Sequence, residues 1–206
     1  MNIEEQLRFL KFSPESFAAK CGPLPALSLK TFQLNIGLWC NQACRHCHVD
    51  SSPVRTEQMT RTIVDQCLAA MDTIDTLEYV DITGGAPEGH REFRYLVQQV
   101  KKRGLKIIDR CNLTILSEPG QEDLADFLAE HDVEIVSSLP HFSEKKTNKQ
   151  RGRGVFEKSI DGLLQLNDLG YGIDVNRPLH LVYNPSGILL SGNQAELEKE
   201  FKKQLD

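Results

Sequence analysis

The chain has 206 residues, 40% of them apolar and 26% charged, a composition that opposes global disorder and suffices for one substantial core or two small ones. Its 24 basic and 29 acidic residues leave a formal charge of −5, so no overall basic field draws it to nucleic acid or anionic lipid. No apolar run reaches the roughly 20 residues needed to span a bilayer, and the opening MNIEEQLRFLKF is acidic and amphipathic, unlike a signal peptide. A cytoplasmic protein that engages neither membrane nor nucleic acid is therefore expected.

Residues 1–30, with Gly22, Pro23 and Pro25, read as a helix and linker outside the main fold, which is expected over 31–206. Five short apolar runs bounded by turn residues read as strands: 31–38, 77–83, 105–110, 133–139 and 180–184. Helical spacing fills the intervals. Thr60 is placed to cap a helix carrying Ile63, Val64, Cys67, Leu68 and Met71 on one face; the next carries Phe93, Leu96, Val97 and Val100 and stops at Gly104. Leu124, Phe127 and Leu128 mark a third. Phe156, Ile160, Leu163 and Leu164 mark a fourth that stops at Gly170, and Ala195, Leu197, Phe201 and Leu205 mark a fifth. The basic stretch 144–154, with Lys145, Lys146, Lys149, Arg151 and Arg153, reads as a solvated loop, with a lid over an anionic cofactor as the functional alternative.

Strand–helix alternation implies an α/β fold with parallel pairing and right-handed crossovers, as an open doubly wound sheet or a curved, barrel-like one. In both, functional loops gather at the C-terminal ends of the strands. Two motifs follow strands directly and so belong on that edge. The first is CNQACRHC, in which Cys40, Cys44 and Cys47 have the spacing C-x3-C-x2-C. Three thiols on so short a loop converge on a metal centre, whereas a disulfide would strand the third. A 4Fe–4S cube held by three protein ligands leaves one iron open for chemistry. The alternative is structural zinc, completed by His46 or His48. A simple electron carrier would need a fourth nearby cysteine, and Cys67, on an apolar helix face, is poorly placed. The second motif is GGAPE, where Gly84 and Gly85 serve either as a turn or as a close approach of the backbone to a ligand.

Of the other candidates, Cys67 reads as a core residue, Cys111 divides evenly between core and function, and Cys21 reads as incidental. His90, His131 and His180 read as surface or satisfied core residues.

The C-x3-C-x2-C loop after the first strand, with Gly-Gly after the second, resembles the radical S-adenosylmethionine superfamily. The segments LNIGLWCNQACRHCHVD, DITGGAPEGHREFRYLV, DRCNLTIL, QRGRGVFEKSI and LHLVYNP resemble, within it, the arsenosugar-biosynthesis family. That resemblance implies a partial parallel (β/α) barrel with about five of six strand–helix units, truncated at its C-terminal end and lacking the family's cysteine-rich domain. It implies that Cys40, Cys44 and Cys47 bind three irons of a 4Fe–4S cluster and that S-adenosylmethionine chelates the fourth. An external one-electron reductant, such as flavodoxin or ferredoxin, would drive cleavage to a 5′-deoxyadenosyl radical, which would add to a small-molecule substrate, a methylated trivalent arsenic compound.

By the same resemblance His46 packs on the adenine, Gly84 and Gly85 receive the methionine amino group, and Asn112 contacts the ribose. Ala86 stands where the superfamily has Glu, which shifts the emphasis to main-chain carbonyls. His141, in SLPHF, stands where the family has a cysteine. Bulk at Gly85 is expected to impair cofactor binding while leaving the cluster intact, and the chain alone is expected to bind cluster and cofactor without completing turnover.

Overall fold

The computed structural model describes residues 14–22, 28–184 and 192–205. Its elements are α1 (Pro14–Cys21), β1 (Thr31–Asn35), α2 (Arg61–Met71), β2 (Tyr79–Thr83), α3 (Phe93–Lys102), β3 (Lys106–Asp109), α4 (Leu124–Glu130), β4 (Glu134–Ser138), α5 (Glu144–Arg151), α6 (Val155–Asp168), β5 (Leu179–Val182) and α7 (Gln194–Leu205). Short 3-10 turns lie at Pro87–Gly89 and Thr114–Ser117. The five strands pair in chain order, all parallel, so every strand-to-helix loop leaves from one edge. This open sheet is the expected partial (β/α) barrel.

Alternation along the strands divides the sheet into two unlike faces. On one, Val80, Ile82, Ile107 and Ile135 are buried with Phe93, Leu96, Val97 and Val100 of α3, each side chain contributing on the order of 1.5–3 kcal/mol by burial. The other face is polar. Asp81 accepts hydrogen bonds from Gln33 (2.9 Å) and from Arg110 (2.9 and 2.8 Å), tying three strands together, and His180 lies 3.2 Å from Glu134.

The helix ends follow local chemistry. The Thr60 hydroxyl accepts from the Ile63 N–H at 3.4 Å, an N-cap. Gly104 ends α3 at φ +71°, a conformation that costs little only without a Cβ. Leu164, expected on the apolar face of α6, is 58% exposed.

Two expectations are corrected. Residues 36–38 leave the sheet earlier than the apolar run suggested and pair antiparallel with 57–59: Leu38 N–H donates to Glu57 O and Met59 N–H to Ile36 O. Residues 144–151 form α5 rather than a loop. Basic residues in its last turn, Lys149 and Arg151, favour the helix C-terminus electrostatically. Arg151 is buried and donates to Ser138 O and Asn112 O. The N-terminal reading falls partly on residues outside those described; within it, α1 is helical.

Candidate cluster and cofactor site

The cysteine loop is built on the 36–38/57–59 pairing. Above it, Cys40 N–H donates to Ser52 O at 3.2 Å. The loop closes on itself where Cys47 N–H donates to Cys44 O (3.2 Å) and the Cys47 sulfur accepts from Ser51 N–H (3.3 Å). From the far side the end of α5 holds it: Arg45 N–H donates to Gln150 O (3.2 Å), and the Cys44 thiol points at Arg151 O (3.9 Å).

The Gly-Gly loop lies directly against this one. Gly85 N–H donates to Gly37 O at 3.0 Å and Ala86 N–H to Trp39 O at 2.9 Å. A Cβ on Gly84 would come within 2.7 Å of Gly37 O; one on Gly85 would lie 2.6 Å from the Trp39 carbonyl carbon and 2.8 Å from Cys40 Cβ. Such distances force something to move, and what must move is backbone. These glycines are therefore required first by the close approach of two protein segments, beyond what the turn and ligand alternatives considered. Bulk at Gly85 would press on Cys40 as well as on the Trp39 main chain.

Asn112, expected at the ribose, lies against the cysteine loop. It is buried, and its amide nitrogen lies 2.8 Å from Asn41 Oδ1 and 3.5 Å from the Cys40 sulfur. Its Oδ1 accepts from Thr114 Oγ1 (3.0 Å) and Ile115 N–H (3.1 Å), which starts the 3-10 turn. Both ends of the side chain are engaged within the protein, so Asn112 positions Cys40.

Cys40 is buried, whereas Cys44 and Cys47 are partly exposed, and all three are free thiols. Burial pushes the Cys40 pKa up, and the hydrogen bonds from Gln42 N–H and Asn112 offset this only in part. His46 and His48 are exposed. Among the described residues, the three-ligand group whose donor atoms all lie within 4.8 Å of one another is Glu88, Asp109 and Cys111, not the cysteine loop.

His141 has its Nδ1 lone pair occupied by Ser143 N–H at 2.9 Å, and its ring packs on Phe142 with centroids 4.2 Å apart. Its Nε2 lies 2.9 Å from Lys146 Nζ. Burial and then the Lys146 charge hold the imidazole pKa below its usual value.

His90 is a buried histidine whose Nδ1 accepts from Glu92 N–H, and His131 donates to Phe127 O. Cys67 packs partly buried against the core. Sequence reasoning missed the burial of Arg151, hidden within a basic run, and that of Glu88 and Asp109. A signal for the last existed: Asp109 and Cys111 alternate with Arg110 and so share the face that Ile107 buries.

A family model described as the radical SAM superfamily matches residues 34–188. No curated protein matches the chain. Among solved structures, SuiB of Streptococcus suis bound to S-adenosylmethionine is 15% identical with a TM-score of 0.61, covering 92% of this chain and 40% of that one. SuiB bound to its precursor peptide SuiA is 16% identical with a TM-score of 0.60, covering 99% of this chain and 42% of that one. The structure of anSMEcpe with bound AdoMet and a peptide is 20% identical with a TM-score of 0.56, covering 76% and 42%. The chain spans about two-fifths of the length of these structures, and the likeness is one of fold.

Proposed function

Because the chain belongs to the radical SAM superfamily, whose members are enzymes that use a 4Fe–4S cluster and S-adenosylmethionine, we propose that Cys40, Cys44 and Cys47 are its cluster ligands and that the adjoining loops bind the cofactor. The observation that carries this reading is the strapping of the C-x3-C-x2-C loop to the Gly-Gly loop by Gly85 N–H and Ala86 N–H. It puts three free thiols and a glycine backbone side by side at the C-terminal edge of a parallel sheet. The donor set fits the group: three thiols on one short loop, none of them in a disulfide.

When bound, the cluster and S-adenosylmethionine supply one-electron cleavage of a carbon–sulfur bond. The residues of the chain do the rest. Asn112 orients the Cys40 thiol, and the buried Arg151 guanidinium places positive charge beside a loop that carries three thiolates when loaded. Gly84 and Gly85 offer main-chain carbonyls to the methionine amino group in place of the carboxylate that Ala86 lacks. The exposed His46 ring is available to stack on adenine.

The motif resemblance supports a methylated trivalent arsenic compound as the substrate and arsenosugar formation as the reaction, with a flavodoxin- or ferredoxin-like reductant. His141 bears on that substrate: a soft thiol is replaced by an imidazole whose Nδ1 is already occupied, so a thiophilic substrate needs another sulfur. The ligand assignment is tested by anaerobic reconstitution. Wild type should take up about four irons per chain, and alanine at Cys40, Cys44 or Cys47 should abolish uptake while Cys67→Ala retains it. Iron retained by the Cys44 variant and lost by the Cys67 variant overturns the assignment.

A further inference from the structure

Behind the Gly-Gly loop, on the helix-covered face of the sheet, lie three ionisable side chains that the reading above does not use. Glu88 comes from the 3-10 turn that follows GGA, Asp109 from the end of β3, and Cys111 from two residues beyond. They are 3%, 0% and 1% exposed, and one donor atom from each lies within 4.8 Å of the others. Proximity alone would make this an acidic cluster. The second observation is that neither carboxylate receives a hydrogen bond from any side chain outside the cluster, Glu88 reaching only Cys111, Asp109 and its own main chain. Buried carboxylates without donors are costly, and the remedy is a cation or a proton.

A fourth group points the same way. The Ser137 hydroxyl is fully buried and also lacks a partner. Asp109 pairs with Ile135 and Ser138 N–H donates to Cys111 O, so Ser137 lies beside Cys111 on the same face. Without a cation, burial raises both carboxyls, Asp109 well above its usual range with the Glu88 charge adding to it, and burial followed by the two carboxylate charges raises the Cys111 thiol likewise.

We propose that Glu88, Asp109 and Cys111 form a structural zinc site, with Ser137 or a water as fourth ligand. One thiolate among three ligands selects a borderline-soft ion over magnesium or calcium, and zinc accepts sulfur and carboxylate oxygen together in a closed tetrahedral set. Two carboxylates and a thiolate neutralise the ion with one negative charge to spare. The bound ion ties the turn after Gly84 and Gly85 to the end of β3, and so stiffens the loop that supports Cys40 from behind. The site is separate from the cysteine loop and stands or falls independently of it.

The test uses the full chain with Cys40, Cys44 and Cys47 all replaced by alanine, so that no cluster or loop-bound metal interferes. After confirming the fold by circular dichroism, zinc is measured by mass spectrometry and cobalt(II) is titrated in. The expected result is about one zinc per chain and a thiolate-to-cobalt charge-transfer band. The band should be lost in the further variant Cys111→Ser, which keeps the side-chain size, and zinc content should drop at least tenfold in Asp109→Asn. The wild-type holoprotein should carry one zinc in addition to its iron. A folded triple variant that takes up neither metal overturns the proposal, as does a cobalt band that survives Cys111→Ser, or holoprotein with iron and no zinc.

Discussion

Replacing Gly85 with alanine adds a single methyl group where the two loops of the site meet, and the structure sets the size of the effect. The new Cβ would lie 2.6 Å from the Trp39 carbonyl carbon and 2.8 Å from Cys40 Cβ, and nearer still to the Trp39 oxygen. No rotamer relieves these contacts, because the obstructing atoms are mostly main chain. Separating the loops weakens the Gly85–Gly37 and Ala86–Trp39 hydrogen bonds. Overpacking costs about 1–3 kcal/mol and two weakened hydrogen bonds about 0.5–1.5 kcal/mol each. A loss of about 2–6 kcal/mol is therefore expected on these two grounds. The assay is urea unfolding of the apoprotein together with iron content after reconstitution, since Cys40 must shift with its neighbours. Gly104→Ala serves as the control. It meets nothing within 4 Å, and its φ of +71° costs about 1 kcal/mol, so stability should fall modestly and iron content should not. A Gly85→Ala protein as stable as wild type, with full iron, would refute the account of why these glycines are there.

Asn112→Ala leaves the Cys40 sulfur, Asn41 and the first turn of Thr114–Ser117 without their buried partner, so it should destabilise by about 1–3 kcal/mol and speed iron release to a chelator. Wild-type release rates from the folded variant would contradict its positioning role. Asp81 is buried, which raises its pKa, but the hydrogen bonds from Arg110 and Gln33 outweigh burial and hold it below the usual carboxylate range. Its contribution to stability is thus present above the unfolded value near about 3.9 and lost as pH falls through the folded one. Asp81→Asn should be less stable than wild type at pH 7, and the gap should close below about pH 4; a gap independent of pH would show that the ion pair is not responsible.

Where physics acts within a few residues, the sequence was sufficient. The five strands, the Thr60 cap and the Gly104 stop follow from alternation and capping chemistry, and the cysteine spacing marked the loop that matters. What escaped was set by contacts between distant segments. Nothing local tells that Gly84 and Gly85 face residues 37–40, that Asn112 turns towards Cys40, or that Arg151 leaves a basic run to lie between the ends of β3 and β4. The same holds for α5: its residues are polar all round, so periodicity gave no helical signal, and anchoring by Arg151 and by Thr147, which donates to His141 O at 2.6 Å, decides the matter. Glu88 joins Asp109 and Cys111 only through the fold, although the buried register of the last two could be read from the strand.

Cys40, Cys44 and Cys47 are proposed to hold a cluster with one iron left open to S-adenosylmethionine. The direct measurement is electron paramagnetic resonance of the anaerobically reconstituted, dithionite-reduced protein, recorded before and after adding the cofactor. The expected result is a signal from a reduced 4Fe–4S cluster whose g-values shift when S-adenosylmethionine is added, and no such signal in a Cys40→Ala protein. A colourless protein, or a cluster signal that S-adenosylmethionine leaves unchanged, would contradict it.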